Sequence, residues 1–269
     1  MNYQERVIAY IDILGFRDKI QNTIDKGSGE ENELETNKIN NLFENVLELK
    51  NKYKYIDNNV NNRMVSHFSD SVVVSYPMEE EAEIFHIFSD ILFFGVSILQ
   101  DGYLIRGAIT SGKLHHSENK LYGPAMLSAY NMERKMAFYP RIIFENKIIE
   151  IIKKNQSKLG QLKVLNKLIQ KDIDGLYYLD YFRSMCFVGA NEGLLEILKA
   201  FKDRINELEK KIENNDSIKS KYLWLKEKYN IALNKIKSKN INEKIIIECP
   251  ELYDFLINEG NINEEVTQC

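Results

Sequence analysis

The chain has 269 residues, 44% hydrophobic and 28% charged, a composition of a globular protein sized for one large domain or two small ones. With 36 Lys and Arg against 40 Asp and Glu, and a formal charge of −4, it has no excess of positive charge to spread over nucleic acid, though a local phosphate pocket stays open. No apolar run nears the roughly 18 residues of a membrane span, and MNYQERVIAY lacks a signal pattern, so the expectation is a cytosolic protein without a membrane partner.

The first element is Arg6–Phe16, RVIAYIDILGF. Val7–Ile11 is a short run rich in β-branched and aromatic residues and predicts a buried strand. Asp12 ends it, followed by Ile13, Leu14 and Gly15. A carboxylate beside so apolar a strand needs a partner. It either caps a helix that begins near Phe16 or holds a cation, with the Gly15 turn leaving amides for a phosphate.

Phe16–Ile24 begins a helix, and Asp25–Glu35 is a polar loop with two glycines. Ile39, Leu42, Phe43, Val46, Leu47 and Leu49 recur at helical spacing within 33–55. Asp57–Asn62 is Asn-rich and predicts a turn. In Arg63–Tyr76, RMVSHFSDSVVVSY, two strand-like runs flank Ser69-Asp70-Ser71, a hairpin with Asp70 at its tip; Asp and Ser there are also ordinary turn residues.

Glu79–Leu99 predicts a second amphipathic helix and Gly102–Gly112 a strand interrupted by Arg106 and Gly107. His115–Lys120 reads as a polar loop whose exposed His115-His116 pair is either a metal ligand pair or, the plainer reading, incidental. Tyr122–Phe138 is a helix with Gly123-Pro124 at its start. Tyr139–Phe144 is a short strand whose Arg141 either reaches phosphate or, the plainer reading, pairs locally at the surface, and Glu145–Lys153 is a short helix. The fold class expected is α+β, helices on a mostly antiparallel sheet.

Asp172–Phe182 predicts a hairpin or extended arm turning at Asp174-Gly175, with Asp172, Asp174 and Asp180 as an acidic group. Leu194, Leu198, Phe201, Ile205, Leu208 and Ile212 alternate steps of four and three. After Asn214–Asp216 the pattern returns at Ile218, Tyr222, Leu225, Tyr229, Ala232 and Ile236. That is a helical hairpin, a dimerising coil or a cover for the sheet. The expected organisation is a first domain over 1–150, a β-arm over 151–190 and a helical region over 191–269. Cys186, Cys249 and Cys269 are scattered and read as reduced thiols.

Asp12 and Asp70 fall on elements that would pair, and two carboxylates drawn together suit a divalent cation. YIDILGF resembles the first metal-binding segment of class III nucleotidyl cyclases, and HFSDSVVVSY their second. RGAITSG and YGPAMLSAYNMERKMA are similar to their later strand and closing helix. The order matches from Val7 to Phe144, nearest to divergent bacterial members such as the pyrimidine cyclases of anti-phage signalling.

The resemblance implies a cyclase-like, palm-like sheet and a nucleoside triphosphate substrate. It implies two Mg²⁺ or Mn²⁺ ions on Asp12, Asp70 and the Ile13 carbonyl, and a homodimer with sites at its interface. Gly15 and Phe16 would give amides to the triphosphate; Ser69 and Arg106 lie among the substrate-facing positions. The family's helix carries an Asn and then an Arg where this chain has Leu127 and Asn131, and Arg134, on nearly the same face as Asn131, is the substitute. The base-reading Lys and Asp are replaced by Ser66 and Lys120, which argues against adenine. Two outcomes follow: a cyclase for another base, such as UTP or CTP, or a cyclase-fold module that senses nucleotide or binds protein without turnover.

Overall fold

A computed structural model describes residues 3–51, 63–78, 82–155, 167–184, 191–213, 215–240 and 249–262. The expected turn at Asp57–Asn62, Cys186 and Cys269 lie outside the described residues. The chain divides into two compact units, 1–180 and 181–269.

The first unit is built on one sheet in the order β2-β3-β1-β4-β6-β8-β7, with β5 paired to β4. Its strands are β1 (Gln4–Leu14), β2 (Met64–Phe68), β3 (Ser71–Pro77), β4 (Leu104–Ser117), β5 (Lys120–Tyr122), β6 (Ile142–Phe144), β7 (Ile169–Lys171) and β8 (Tyr177–Leu179). Among the described residues every pairing is antiparallel except β4 with β6. The fold is α+β, as the alternation of elements predicts.

β1 is the centre because both its neighbours are long and its residues are apolar on both faces. Val7, Ala9, Ile11 and Ile13 enter a large core with residues of α2 (Glu33–Asn51) and α3 (Ala82–Leu99). Ile8 and Tyr10 point the other way, as strand alternation requires, into a smaller cluster with Ala125 and Ala129 of α4 (Pro124–Met136). α1 (Phe16–Asn22) and α5 (Asn146–Asn155) complete this unit's described helices.

Three expectations are corrected. Asp12 lies within β1, which runs on to Leu14. His115 and His116 belong to β4, not to a loop, and Lys120 to β5. Two polar rings disguised the strand, yet His115 stacks on Tyr122, ring centroids 4.9 Å apart, and His116 is buried among hydroxyls. Arg141 is fully buried rather than superficial, paired with Asp172 and Asp174 and flanked by the rings of Tyr139 and Tyr178. Asp172 and Asp174 of the acidic group are thus the counter-charges of one interior cation. The hairpin at Asp174-Gly175 forms as expected, and β8 joins the sheet beside β6.

In the second unit α6 (Tyr181–Ser184) precedes α7 (Asn191–Glu209) and α8 (Asp216–Asn240), then α9 (Pro250–Asp254). α7 and α8 pack on one another. Leu194, Leu198, Phe201, Ile205 and Leu208 of the predicted stripe are buried, as are Tyr222, Leu225, Tyr229, Ala232 and Ile236. Cys249 is a buried thiol.

Candidate active site

Asp12 follows Ile8 and Tyr10 on the α4 side of β1. Its cross-strand partners are Ser71 on β3 and Arg106 on β4. The Arg106 Nε lies 2.8 Å from Asp12 Oδ2 and 2.9 Å from Glu133 Oε1. The single Nε hydrogen goes to Asp12, while Glu133 is held by the same guanidinium as an ion pair.

α4 delivers Glu133 through a stripe of small residues. Ala125, Ala129 and Glu133 are spaced by four, share one helix face and are buried. The helix comes this close because Gly123 begins it with φ 146°, and a Cβ there would stand 2.7 Å from the Lys113 carbonyl oxygen. Local sequence context does not single out Glu133, although the Ala-x₃-Ala-x₃-Glu spacing is a usable signal.

Asp70 sits in the two-residue turn of the β2–β3 hairpin, after Ser69 in the left-handed region at φ 56°. The Ile13 amide donates to the Asp70 carbonyl at 2.8 Å. In an extended strand one residue's N–H and C=O point the same way, so the Ile13 carbonyl also faces the hairpin. Asp12, Ile13 and Asp70 are thus brought to one corner of the sheet. Asp12 does not cap the first helix: the N-cap of α1 is Gly15, at φ 86°, without a side-chain cap.

The electrostatics follow from burial and crowding. Desolvation raises the Glu133 pKa; Arg106 and Arg134 oppose this, while Asp12 and Asp70 add to it. Tyr10 donates or accepts a 2.7 Å bond with Ser71 Oγ and stands edge-on to Tyr130 at 5.6 Å. Burial raises its pKa despite that bond.

The other expected site residues are distributed as follows. Phe16 is buried, edge-on to Phe43. Ser66 is half-buried and bonded to His116. Ser69 and Lys120 are exposed, and on α4 Asn131 is half-buried while Arg134 and Leu127 are exposed.

Two carboxylates and a carbonyl are hard oxygen donors of the kind Mg²⁺ or Mn²⁺ accepts, so the corner fits a divalent cation chemically. No group of three or more His, Cys, Asp or Glu among the described residues is arranged to hold a metal ion. A cation would therefore need ligands from water and from a phosphate-bearing substrate. Arg106 competes for Asp12 meanwhile.

No protein-family profile matches the chain, and no curated protein matches it in sequence. Solved structures resemble it loosely in fold. The adenylyl cyclase CyaB from P. aeruginosa matches with 14% identity over 66% of this chain and 94% of its own, at a TM-score of 0.42. A monomeric guanylyl cyclase domain of the RhoGC fusion protein from the aquatic fungus Blastocladiella emersonii matches with 16% identity over 66% and 96%, at 0.40. A bacterial light-regulated adenylyl cyclase matches with 14% identity over 74% and 100%, at 0.39.

Proposed function

We propose that the chain is a metal-dependent nucleotidyl cyclase that converts a nucleoside triphosphate, of the pyrimidine class, into a 3′,5′-cyclic nucleotide and pyrophosphate. The observation that carries this reading is the meeting of Asp12, Ile13 and Asp70 at one corner, with Arg106 and Glu133 beside them. The order of the four cyclase-like segments supports it.

Asp12, Asp70 and the Ile13 carbonyl would hold Mg²⁺ or Mn²⁺. When bound, two such ions supply a lowered pKa at the ribose 3′-hydroxyl and charge neutralisation on the triphosphate. Arg106, released from Asp12, would turn its guanidinium to phosphate oxygens, a fork geometry suited to them. Glu133 keeps Arg106 anchored. The Gly15 and Phe16 amides, at the start of α1, face the same anion. Arg134 and Asn131 on α4 are the groups left to meet charge developing at the α-phosphate, and Ser69 flanks the turn. Ser66 and Lys120 are the base-facing pair. The functional unit is a homodimer, and its product serves as a signal in anti-phage defence.

A second reading has its own observation. Leu127 is 61% exposed where the cyclases have Asn, and Asn131 replaces their Arg. A nucleotide-sensing module without turnover would need neither. Incubating the full chain with each of four nucleoside triphosphates and Mn²⁺, then seeking cyclic nucleotide and pyrophosphate by mass spectrometry, separates the two. Product that disappears in Asp70→Asn supports the cyclase. Nucleotide binding without product leaves only the sensor.

A further inference from the structure

The Arg106 Nε–H has two acceptors within reach and serves one of them. Nε lies 2.8 Å from Asp12 Oδ2, which takes the hydrogen, and 2.9 Å from Glu133 Oε1, which does not. Glu133 Oε1 is buried and, among the described residues, has no hydrogen-bond partner. Its distance to Nε is already that of a hydrogen bond, and only the angle is wrong. A buried carboxylate oxygen in that state is costly, so the metal-free corner leaves one acceptor unsatisfied.

The two carboxylates are not equivalent. The Asp12 side chain is 19% exposed and the Glu133 side chain 6%. A hydrated divalent cation gives up its waters reluctantly, so it meets Asp12 and not Glu133. A guanidinium is more weakly hydrated and tolerates the deeper place, and it cannot leave Asp12 by losing its proton. Among the described residues the two terminal nitrogens of Arg106 make no hydrogen bond. A small turn at Nε therefore severs one bond and makes another.

We infer that Arg106 is the resident counter-ion of the metal-free site, and that Glu133 receives its Nε hydrogen when Asp12 takes a divalent cation. This handover rests on the cyclase reading, in which Asp12 is a cation ligand. Before it, Arg106 satisfies Asp12 and Glu133 Oε1 goes without. After it, Glu133 has the Nε hydrogen, Asp12 has the cation, and no buried acceptor is stranded. Glu133 is a positioning residue: it touches neither substrate nor cation, and it sets how readily Arg106 yields Asp12.

Two measurements test this. The first needs no metal. The Arg106 Nε–H resonance, assigned by its loss in Arg106→Met, is followed by hydrogen exchange. In Asp12→Ala the hydrogen should pass to Glu133 and stay protected, and exchange should speed up about tenfold when Glu133→Met is added. Fast exchange in Asp12→Ala, with Glu133 in place, overturns the handover.

The second is Mn²⁺ binding read by electron paramagnetic resonance, without turnover. Arg106→Met should bind Mn²⁺ about fivefold tighter than wild type. Glu133→Gln should bind it more weakly, because Arg106 then stays on Asp12. A through-space effect of the two charges would reproduce these binding changes, and the exchange measurement separates it from a handover. Should Arg106→Met not fold, Arg106→Gln removes the charge and keeps a polar side chain. Unchanged or weaker binding in the Arg106 variant overturns the handover while leaving the cyclase reading intact. Mn²⁺ bound by neither wild type nor the Arg106 variant removes the cation site, and the cyclase reading with it.

Discussion

Arg106 and Asp12 are cross-strand partners on β4 and β1, joined Nε to Oδ2 at 2.8 Å. The same cation serves Glu133, and Asp70 adds a third carboxylate to the corner. Negative charge is in excess, so a divalent cation should stabilise the folded state. Mn²⁺ at a hundred times its dissociation constant should add about 2.7 kcal/mol to unfolding. Arg106→Met should lower the melting temperature in chelator by an amount corresponding to about 1 kcal/mol, with much of the loss restored by Mn²⁺. Asp70→Asn should do the opposite, raising stability in chelator and blunting the response to Mn²⁺. Melting curves with EDTA and with Mn²⁺ check both. Indifference of the wild-type melt to millimolar cation, with and without nucleoside triphosphate, removes the metal site.

Glu133 gives a pH signature. Its folded pKa is raised, first by desolvation, so the folded state binds more protons than the unfolded state between the two pKa values. Stability from this group is complete below the unfolded value and is lost as pH rises through the folded one. Glu133→Gln mimics the protonated form and should flatten that decline. Urea midpoints taken across the acid-to-neutral range, wild type against Glu133→Gln, measure the difference.

Much of this first unit was legible because its signals are periodic. The Val7–Ile11 run, the hairpin around Ser69-Asp70 and the small-residue start of α4 each follow from side-chain alternation or turn chemistry, and the first two set the Ile13 amide against the Asp70 carbonyl. What stayed hidden is polar and interior. His116 reads as loop because imidazole is usually solvated, but two serines from strands far along the chain satisfy its ring nitrogens. Arg141 reads as surface because its two aspartates lie about thirty residues on. Local composition carries no trace of a partner supplied by topology.

Gly107 tests the sheet itself. A Cβ there would stand 2.2 Å from the Tyr10 carbonyl oxygen and 3.1 Å from the Ile11 Cα, both backbone atoms of the central strand. Neither can move without breaking the β1–β4 register that aligns Asp12 with Arg106. Gly107→Ala should cost about 3 kcal/mol or more, the upper range for overpacking. The check is a chemical denaturation midpoint, with an unshifted midpoint as the contrary result.

Asp90 on α3 ties that helix to β3 and to Arg63, the residue before β2. It is fully buried, accepting from the Tyr76 hydroxyl at 2.6 Å and from Arg63 Nε at 2.7 Å. Removing one partner of a buried pair strands the other, so Asp90→Ala should cost about 3–5 kcal/mol. Tyr76→Phe deletes one hydrogen bond to a charge and should cost about 1.5–3 kcal/mol. Equilibrium unfolding of both variants gives the ratio, and equal losses would contradict an ion pair as the main tie.

His116 predicts a pH dependence of opposite sign to Glu133. Its folded pKa is lowered from 6.5 to about 4, by burial and then by Arg6 and His115. Between those values the unfolded chain binds the proton and the folded chain does not. Stability therefore rises with pH across this window, and falls as acid is added, by up to about 3 kcal/mol for a shift of this size. Protonation would also turn Nδ1 into a donor, so that Ser75 Oγ would accept from both Arg6 and His116 and its own hydrogen would lose the Nδ1 acceptor. His116→Gln has no such proton to bind, so its stability should be lower than wild type near neutrality and the gap should close as pH falls toward 4. Unfolding midpoints at intervals between pH 7 and pH 4 measure the two slopes. Parallel slopes would mean that His116 titrates normally and that its burial between the serines does not hold in solution.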